Sequence, residues 1–396
     1  MIILLIVCFC ILVFYNQKNF IQKDNQNSHL NVKIKIPKPS VPIWDMPYDD
    51  LQYQCADKIS VSKDIILTSC VFLPNQSQFT FIDKDGFKIE HITLVGRDIG
   101  NVVAQTNSYI FFGNRVFDKK VLPSFENGNN LKIYKTLPYE FNNICPLEHG
   151  FATSDKENVL RYFDENLKLK WEKKFDTHLI KYAKIDNETQ NIKESLPTSV
   201  IKDILKSKDG DILVLIKGAG FERYDLKGNL IDKKQMNLNY IDLLAYDDEI
   251  IFTLEGELFV YQGQLKKKIK LVKYDYDGYK FWEKDLKIYS ATDTNRLIRY
   301  NQNLLLISSV TDFENEKMQI EFIEYDLKGN KLDENIAKNY PKRTDITSTA
   351  NLINGDILLG GTMLYFDNEK LLRNALFIKI SSDIPLGKQQ IRKFDE

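Results

Sequence analysis

Two short runs have the opening of a calcium loop, Asp83-x-Asp85-Gly86 and Asp275-x-Asp277-Gly278. A helix-flanked calcium loop also needs a late glutamate that closes the shell with two oxygens, and neither run has one. Aspartate and glycine are equally what a tight turn requires, one to bond the backbone and the other to take a left-handed conformation. Both runs are therefore read as turns. None of the four histidines, His29, His91, His149 and His178, is spaced from another histidine, a cysteine or an acid as a metal site requires. His149 precedes Gly150 and is read as a turn residue. No GxSxG, HExxH or phosphate-cradling glycine run occurs. With 55 acidic residues, no single carboxylate pair stands out for glycoside chemistry. The sequence assigns no catalytic residue, no cofactor and no metal.

Cysteine placement says more. Beyond the first fifteen residues lie Cys55, Cys70 and Cys145. A turn at Ser62-Lys63 would set residues summing to 125 opposite each other on antiparallel strands, as Cys55 and Cys70 do. The spacing predicts a Cys55–Cys70 disulfide, with two buried free thiols as the alternative. Closing a loop of about 15 residues stabilises by roughly 3 kcal/mol. Such a bond belongs to an oxidising compartment.

The elements that would hold these residues begin with an apolar segment, Ile2 to Tyr15, free of charge and of helix breakers. As a helix it spans about 21 Å, short of a bilayer core of about 30 Å. It lacks the basic start and small-x-small site of a cleaved signal. Residues 1–15 are read as an uncleaved membrane anchor, with a cleaved signal and a soluble periplasmic product as the alternative. Lys18 and Lys23 would favour a cytoplasmic flank; the cysteine pair and the exporting habit of such segments favour the periplasmic side of the inner membrane. Residues 16–47 read as a linker ending in a proline-rich spacer, Pro37-Lys-Pro-Ser-Val-Pro42. Alternating Val32, Ile34 and Ile36 could instead form a strand that completes a ring.

From residue 48 onward the chain repeats. Tyr224-Asp-Leu-Lys-Gly, Tyr274-Asp-Tyr-Asp-Gly and Tyr325-Asp-Leu-Lys-Gly recur, with weaker copies at Phe163-Asp164 and Ile82-Asp83. Seven residues after the aspartate comes Trp171, Trp282, Asp232, Asp333 or Glu90. Seven apolar runs accompany these lines: 65–68, 109–112, 151–153, 212–216, 250–254, 304–307 and 357–359. Polar turns precede most of them, which is a hairpin signal. Each unit reads as four antiparallel strands, and radial repetition of such units is a propeller. The expected fold is all-β, a β-propeller of about seven four-stranded blades over residues 48–396 after an N-terminal hydrophobic helix, with two stacked sandwiches as the runner-up.

The Tyr-Asp-x-x-Gly-x-x-x-Trp line, fullest at residues 274–282, resembles the repeat of bacterial quinoprotein-like (PQQ-like) propellers. That resemblance implies that the tryptophan, or what replaces it, packs between blades. It reaches a superfamily that includes both quinone-bearing dehydrogenases and non-enzymatic scaffolds of envelope assembly, and fold does not choose between them.

In a four-stranded unit the first and third turns share one end of the propeller, and the second turns and crossovers share the other. The first set reads as tight. The second set is expected to carry loops at 113–129, 256–268, 311–317 and 361–373 and a crossover at 176–198. Loops on a rigid scaffold carry function, so this end is the expected binding face, with Phe117, Phe125, Tyr182, Tyr261, Phe313, Tyr365 and Phe366 on it. Lys266-Lys-Lys268 reads as a solvated hairpin tip. Lys plus Arg (54) nearly cancels Asp plus Glu (55), so no field favours nucleic acid. The expected function is a membrane-tethered, exported scaffold for an envelope protein or glycan. The alternative is a propeller enzyme, either a quinoprotein-type dehydrogenase or a polysaccharide-active enzyme.

Overall fold

The structure, a computed structural model, describes residues 32–33 and most of residues 56–391; the longest stretches left out between these are 34–55, 121–132 and 176–200. The N-terminal segment thus lies outside the described residues, and among those described no helix is long and apolar enough to cross a membrane.

A short strand, β1 (Val32–Lys33), is followed by seven radial sheets. Blade 1 comprises β2 (Lys58–Val61), β3 (Ile65–Leu73), β4 (Gln76–Asp83) and β5 (Lys88–Val95), with β1 against the outer side of β5. Blade 2 is β6 (Val103–Gln105), β7 (Tyr109–Phe112), β8 (Arg115–Asp118) and β9 (Lys135–Thr136). Blade 3 is β10 (Asn143–Leu147), β11 (Gly150–Ser154), β12 (Val159–Asp164) and β13 (Leu169–Lys174). Blade 4 is β14 (Ile201–Lys206), β15 (Ile212–Ile216), β16 (Gly220–Tyr224) and β17 (Leu230–Gln235). Blade 5 is β18 (Tyr240–Ala245), β19 (Ile250–Tyr261), β20 (Gln264–Asp275) and β21 (Lys280–Ser290). Blade 6 is β22 (Thr294–Tyr300), β23 (Asn303–Asp312), β24 (Lys317–Tyr325) and β25 (Lys331–Tyr340). Blade 7 has β26 (Arg343–Asn351), β27 (Ile357–Asp367) and β28 (Lys370–Ile380). This is a seven-bladed β-propeller.

All seven apolar runs fall on second strands, where both faces meet a neighbouring blade. Hence β15 is buried along its whole length, Ile212 to Ile216. The first strands of neighbouring blades pack together, β2 on β6, β10 on β14, β22 on β26 and β26 on β2, so they ring the axis and the last blade meets the first. The closure is tight. Ala56 N–H donates to the Gly361 carbonyl (3.1 Å), and the hydroxyls of Thr347 and Ser348 donate to the Ala56 carbonyl (2.9 and 3.0 Å). A Cβ on Gly360 would sit 2.7 Å from Ser348 Oγ and 2.9 Å from that carbonyl, so glycine is what lets blade 1 approach.

The repeated aspartates close the turns after third strands. Asp83 Oδ1 accepts the amides of Asp85 and Phe87 (3.0 and 2.8 Å), and Asp225 and Asp326 treat their turns in the same way. The position seven residues later reaches the next blade. Trp171 Nε1 donates to the Leu226 carbonyl (3.1 Å), and its ring lies where a Cβ on Gly228 would be 3.0 Å away. Trp282 covers Gly329 likewise, at 2.9 Å. Asp333 does the polar equivalent, accepting the Gly387 amide (2.8 Å) from the C-terminal tail, which includes a 3-10 turn at Leu386–Lys388. One sequence position thus reaches beyond its own blade with two chemistries, an indole at Trp171 and Trp282 and a carboxylate at Asp333.

The first hairpin departs from expectation. Lys58 pairs with Ser69 and Val61 with Ile66, so partners sum to 127, not 125. Ser62 N–H donates to the Ile65 carbonyl (2.9 Å), so the hairpin closes one residue further along than a turn centred on Ser62-Lys63 would. Cys70 is disulfide-bonded, and Cys145 is a free, buried thiol. Cys55 lies outside the described residues.

Candidate binding surface

The expected binding end has a different construction from the one the sequence suggested. Strand β19 pairs with β20 without interruption from Ile250↔Asp275 to Tyr261↔Gln264, leaving only Gln262-Gly263 as the turn. Likewise β27 pairs with β28 out to Asp367↔Lys370. The stretches 256–268 and 361–373 are therefore long hairpins, not loops. A hairpin that outgrows its neighbours is wet on both faces and loses the in–out alternation that marks a strand.

Blade 2 corrects a second expectation. Gly113-Asn114 already joins β7 to β8, so the long connection at 119–134 follows the third strand and belongs to the opposite end. Phe125 lies within it, outside the described residues. Phe117 is on β8 and fully buried, its ring 5.0 Å from that of Phe112. It is core, not binding surface. Tyr182 and Phe313 also lie outside the described residues. Tyr365 and Phe366 sit on β27 opposite Leu372 and Leu371. Tyr261 sits at the tip of the blade 5 hairpin and is 55% exposed.

Around Tyr261 the sequence reading missed the larger feature. Val260 and Leu265 face each other across the hairpin, and Leu258 is two residues along the same face. All three are exposed, as is Ile288 on β21. Lower on that face the hairpin is anchored. Lys267 is buried, and its Nζ donates to the Asp293 carbonyl (2.6 Å). The Asp293 carboxylate accepts the amides of Ser290 (2.7 Å) and Thr311 (3.2 Å), tying β21 to β23. Burial pushes the Asp293 carboxyl up and the Lys267 ammonium down. Other exposed apolar residues, among them Tyr279 and Phe281, lie near the turn after β20, at the opposite end.

A cleft of about 220 Å³ opens between blades 5 and 6, lined by Lys287, Tyr289, Glu321, Tyr325, Glu334 and Asn335. Lys287 and buried Glu321 pair across it, and Gln319 Nε2 donates to Glu321 Oε1 (3.1 Å). Burial pushes the Tyr325 hydroxyl up to about 12. The same bridge recurs between blades 3 and 4, where Lys173 reaches Glu222 (3.8 Å). Repetition marks these pairs as inter-blade ties, and the cleft is below the usual size for a small-molecule site. His149 Nδ1 lies 3.2 Å from Glu165 Oε1 on an exposed turn. Among the described residues no group of three metal-ligating side chains converges.

The chain resembles the quinoprotein-like propellers. The resemblance rests on the repeat, the seven-bladed ring and the tryptophans laid on the next blade's turn glycine. No protein-family model matches the chain, and no curated protein matches it. Among solved structures, BamB from Moraxella catarrhalis is similar over 88% of this chain and 100% of its own, at 8% identity and a TM-score of 0.45. A chain in the crystal structure of a mitotic checkpoint complex is similar over 88% of this chain and 98% of its own, at 12% identity and a TM-score of 0.44. Neither likeness bears on what this chain binds.

Proposed function

We propose that the chain is a binding scaffold, exported and held at the periplasmic side of the inner membrane by residues 1–15, that engages an envelope protein or glycan through the blade 5 hairpin. One observation carries this reading. Leu258, Val260 and Leu265 form a contiguous apolar stripe on a projecting hairpin whose base is fixed by Lys267 and Asp293. Exposed apolar groups on a rigid support mark a contact site more often than a solvent face. The turn aspartates are engaged by backbone amides, which supports a structural use for the residues that first suggested metal chemistry. Capture experiments with the full chain from solubilised envelopes, and glycan binding measured beside them, test the proposal. Leu258→Asp with Val260→Asp should abolish capture or glycan retention while leaving the urea midpoint unchanged. Binding that survives both substitutions would refute this surface, and location of the chain in the cytoplasm would refute export.

A further inference from the structure

Three arginines that lose water inside the ring are answered by acids. Arg161 is buried, with Asp155 (2.5 Å) and Glu172 (3.0 Å) on its nitrogens. Arg223 is met by Asp209 (2.5 Å) and Asp211 (2.6 Å). Arg296 has Asp242 at 3.9 Å and donates to the Thr347 carbonyl (3.3 Å). Arg115, at the start of β8, is treated differently. Its Nε is buried without a hydrogen bond, and among the described residues no acid, carbonyl or aromatic ring answers the guanidinium.

The hairpin of blade 2 sets its place. After the Gly113-Asn114 turn, Arg115 stands opposite Phe112 on β7 and Thr136 on β9. Phe117 is two residues along and so shares its face. That face packs on Phe79 and Phe81 of blade 1, with the rings of Phe112 and Phe79 stacked at 4.3 Å. The Arg115 side chain therefore points into the seam between blades 1 and 2, beyond the aromatic cluster. This is the end of the propeller that carries the blade 5 hairpin.

A guanidinium in that seam gives up water to phenyl rings and receives no partner in exchange. Burial alone pushes it below the ordinary arginine range; burial acts on Arg223 too, but Asp209 and Asp211 more than offset it. Arginine does not shed its charge to relieve the cost, as a buried lysine can. An anion is what the position lacks. The residue keeps part of its surface in solvent, and of its nitrogens only Nε is both buried and unbonded, so the terminal pair is reachable from outside.

We infer that Arg115 is an oxyanion-binding position, whose two terminal nitrogens take a carboxylate or phosphate group of a ligand at the seam between blades 1 and 2. This goes beyond the proposed use of the blade 5 hairpin and does not depend on it. The planar fork presents parallel N–H donors that match two oxygens of either group.

Two measurements on the full chain test this. The urea midpoint is compared in sodium chloride, acetate and phosphate at equal ionic strength, for the wild type and for Arg115→Met, which removes the charge and keeps an unbranched stem. A gain shared by both proteins is exclusion of the salt from the surface. The wild type should gain in excess of that; at ten times the dissociation constant its folding equilibrium constant rises about 11-fold. In chloride Arg115→Met should be at least as stable as wild type, because an unpartnered buried charge is gone. No excess in either anion would overturn the inference. The second measurement needs no variant: phenylglyoxal labelling of the wild type, read by peptide mass, with exposed Arg343 as the reference. Acetate, phosphate or both should slow labelling of Arg115 and leave Arg343 unchanged. Protection by acetate alone assigns a carboxylate, and protection by phosphate alone assigns a phosphate group. Labelling of Arg115 that neither anion slows would overturn the site.

Discussion

Replacing Trp171 by alanine should loosen blade 3 from blade 4 by an amount that the geometry sets. The indole is partly buried, between the rings of Tyr162 and Tyr224 at 6.0 and 6.1 Å, and donates one hydrogen bond to the Leu226 carbonyl. Complete loss of a buried tryptophan costs about 3–5 kcal/mol, and partial exposure brings this to about 2 kcal/mol. The hydrogen bond adds about 1 kcal/mol, so Trp171→Ala should cost about 3 kcal/mol. Trp171→Phe keeps most of the contact and should cost about 1 kcal/mol. Gly228→Ala meets two penalties, a φ of +89° and a Cβ 3.0 Å from the indole. The first persists without the indole at about 1–2 kcal/mol; the second vanishes. The assay is urea unfolding followed by circular dichroism, arranged as a double-mutant cycle. A Trp171→Ala cost below about 0.5 kcal/mol, or a cycle with no coupling, would refute the reading of position 171 as an inter-blade lock.

Other expectations follow from single sites. Gly360→Ala drives a Cβ into Ser348, Ile59 and the Ala56 carbonyl and should cost about 1–3 kcal/mol, read as a lower urea midpoint. Burial alone would raise the Glu222 carboxyl, but the hydrogen bonds from Lys233 and Tyr224 and the charge of Lys173 hold it below the ordinary glutamate range. A lowered folded value contributes stability above the unfolded value and loses it as pH falls through the folded one. Glu222→Gln should therefore be less stable than wild type at neutral pH and converge on it in acid; a gap that widens in acid would contradict the assignment. Cys55 and Cys70 should resist alkylation in intact cells until reductant is added, read by mass, and free labelling of both would remove the chemical support for export.

The blade frame was legible because both its signals are local. A second strand buried on two sides must be apolar throughout, as Ile212–Ile216 is, and a turn aspartate must stand a fixed distance from its glycine. The offset from Asp164 to Trp171 pointed to a shared task, although the glycine it serves lies in the next unit. Register was harder. The partner sum of the first hairpin is larger by two than expected because the run Ser62-Lys-Asp64 is polar throughout, so a turn centred one residue further along reads equally well in the sequence. The binding end misled for a different reason. Glu257-Leu-Phe-Val-Tyr261 has no alternation because that part of β19 has no core to face, so a strand looked like a loop. In blade 2, Gly113-Asn114 was a readable turn signal, and giving it weight would have put Phe117 in the core and the long connection at the other end.

The junction at Ala56 gives the ring a mechanical polarity. Tension applied to the chain between β1, which is paired to β5, and β2 enters the propeller at that residue, where one amide and one carbonyl are held by Gly361, Thr347 and Ser348. Those bonds to blade 7 share the load before β2 can peel from β3. A load at that point would thus be spread over the first and last blades together, at the seam where the ring closes.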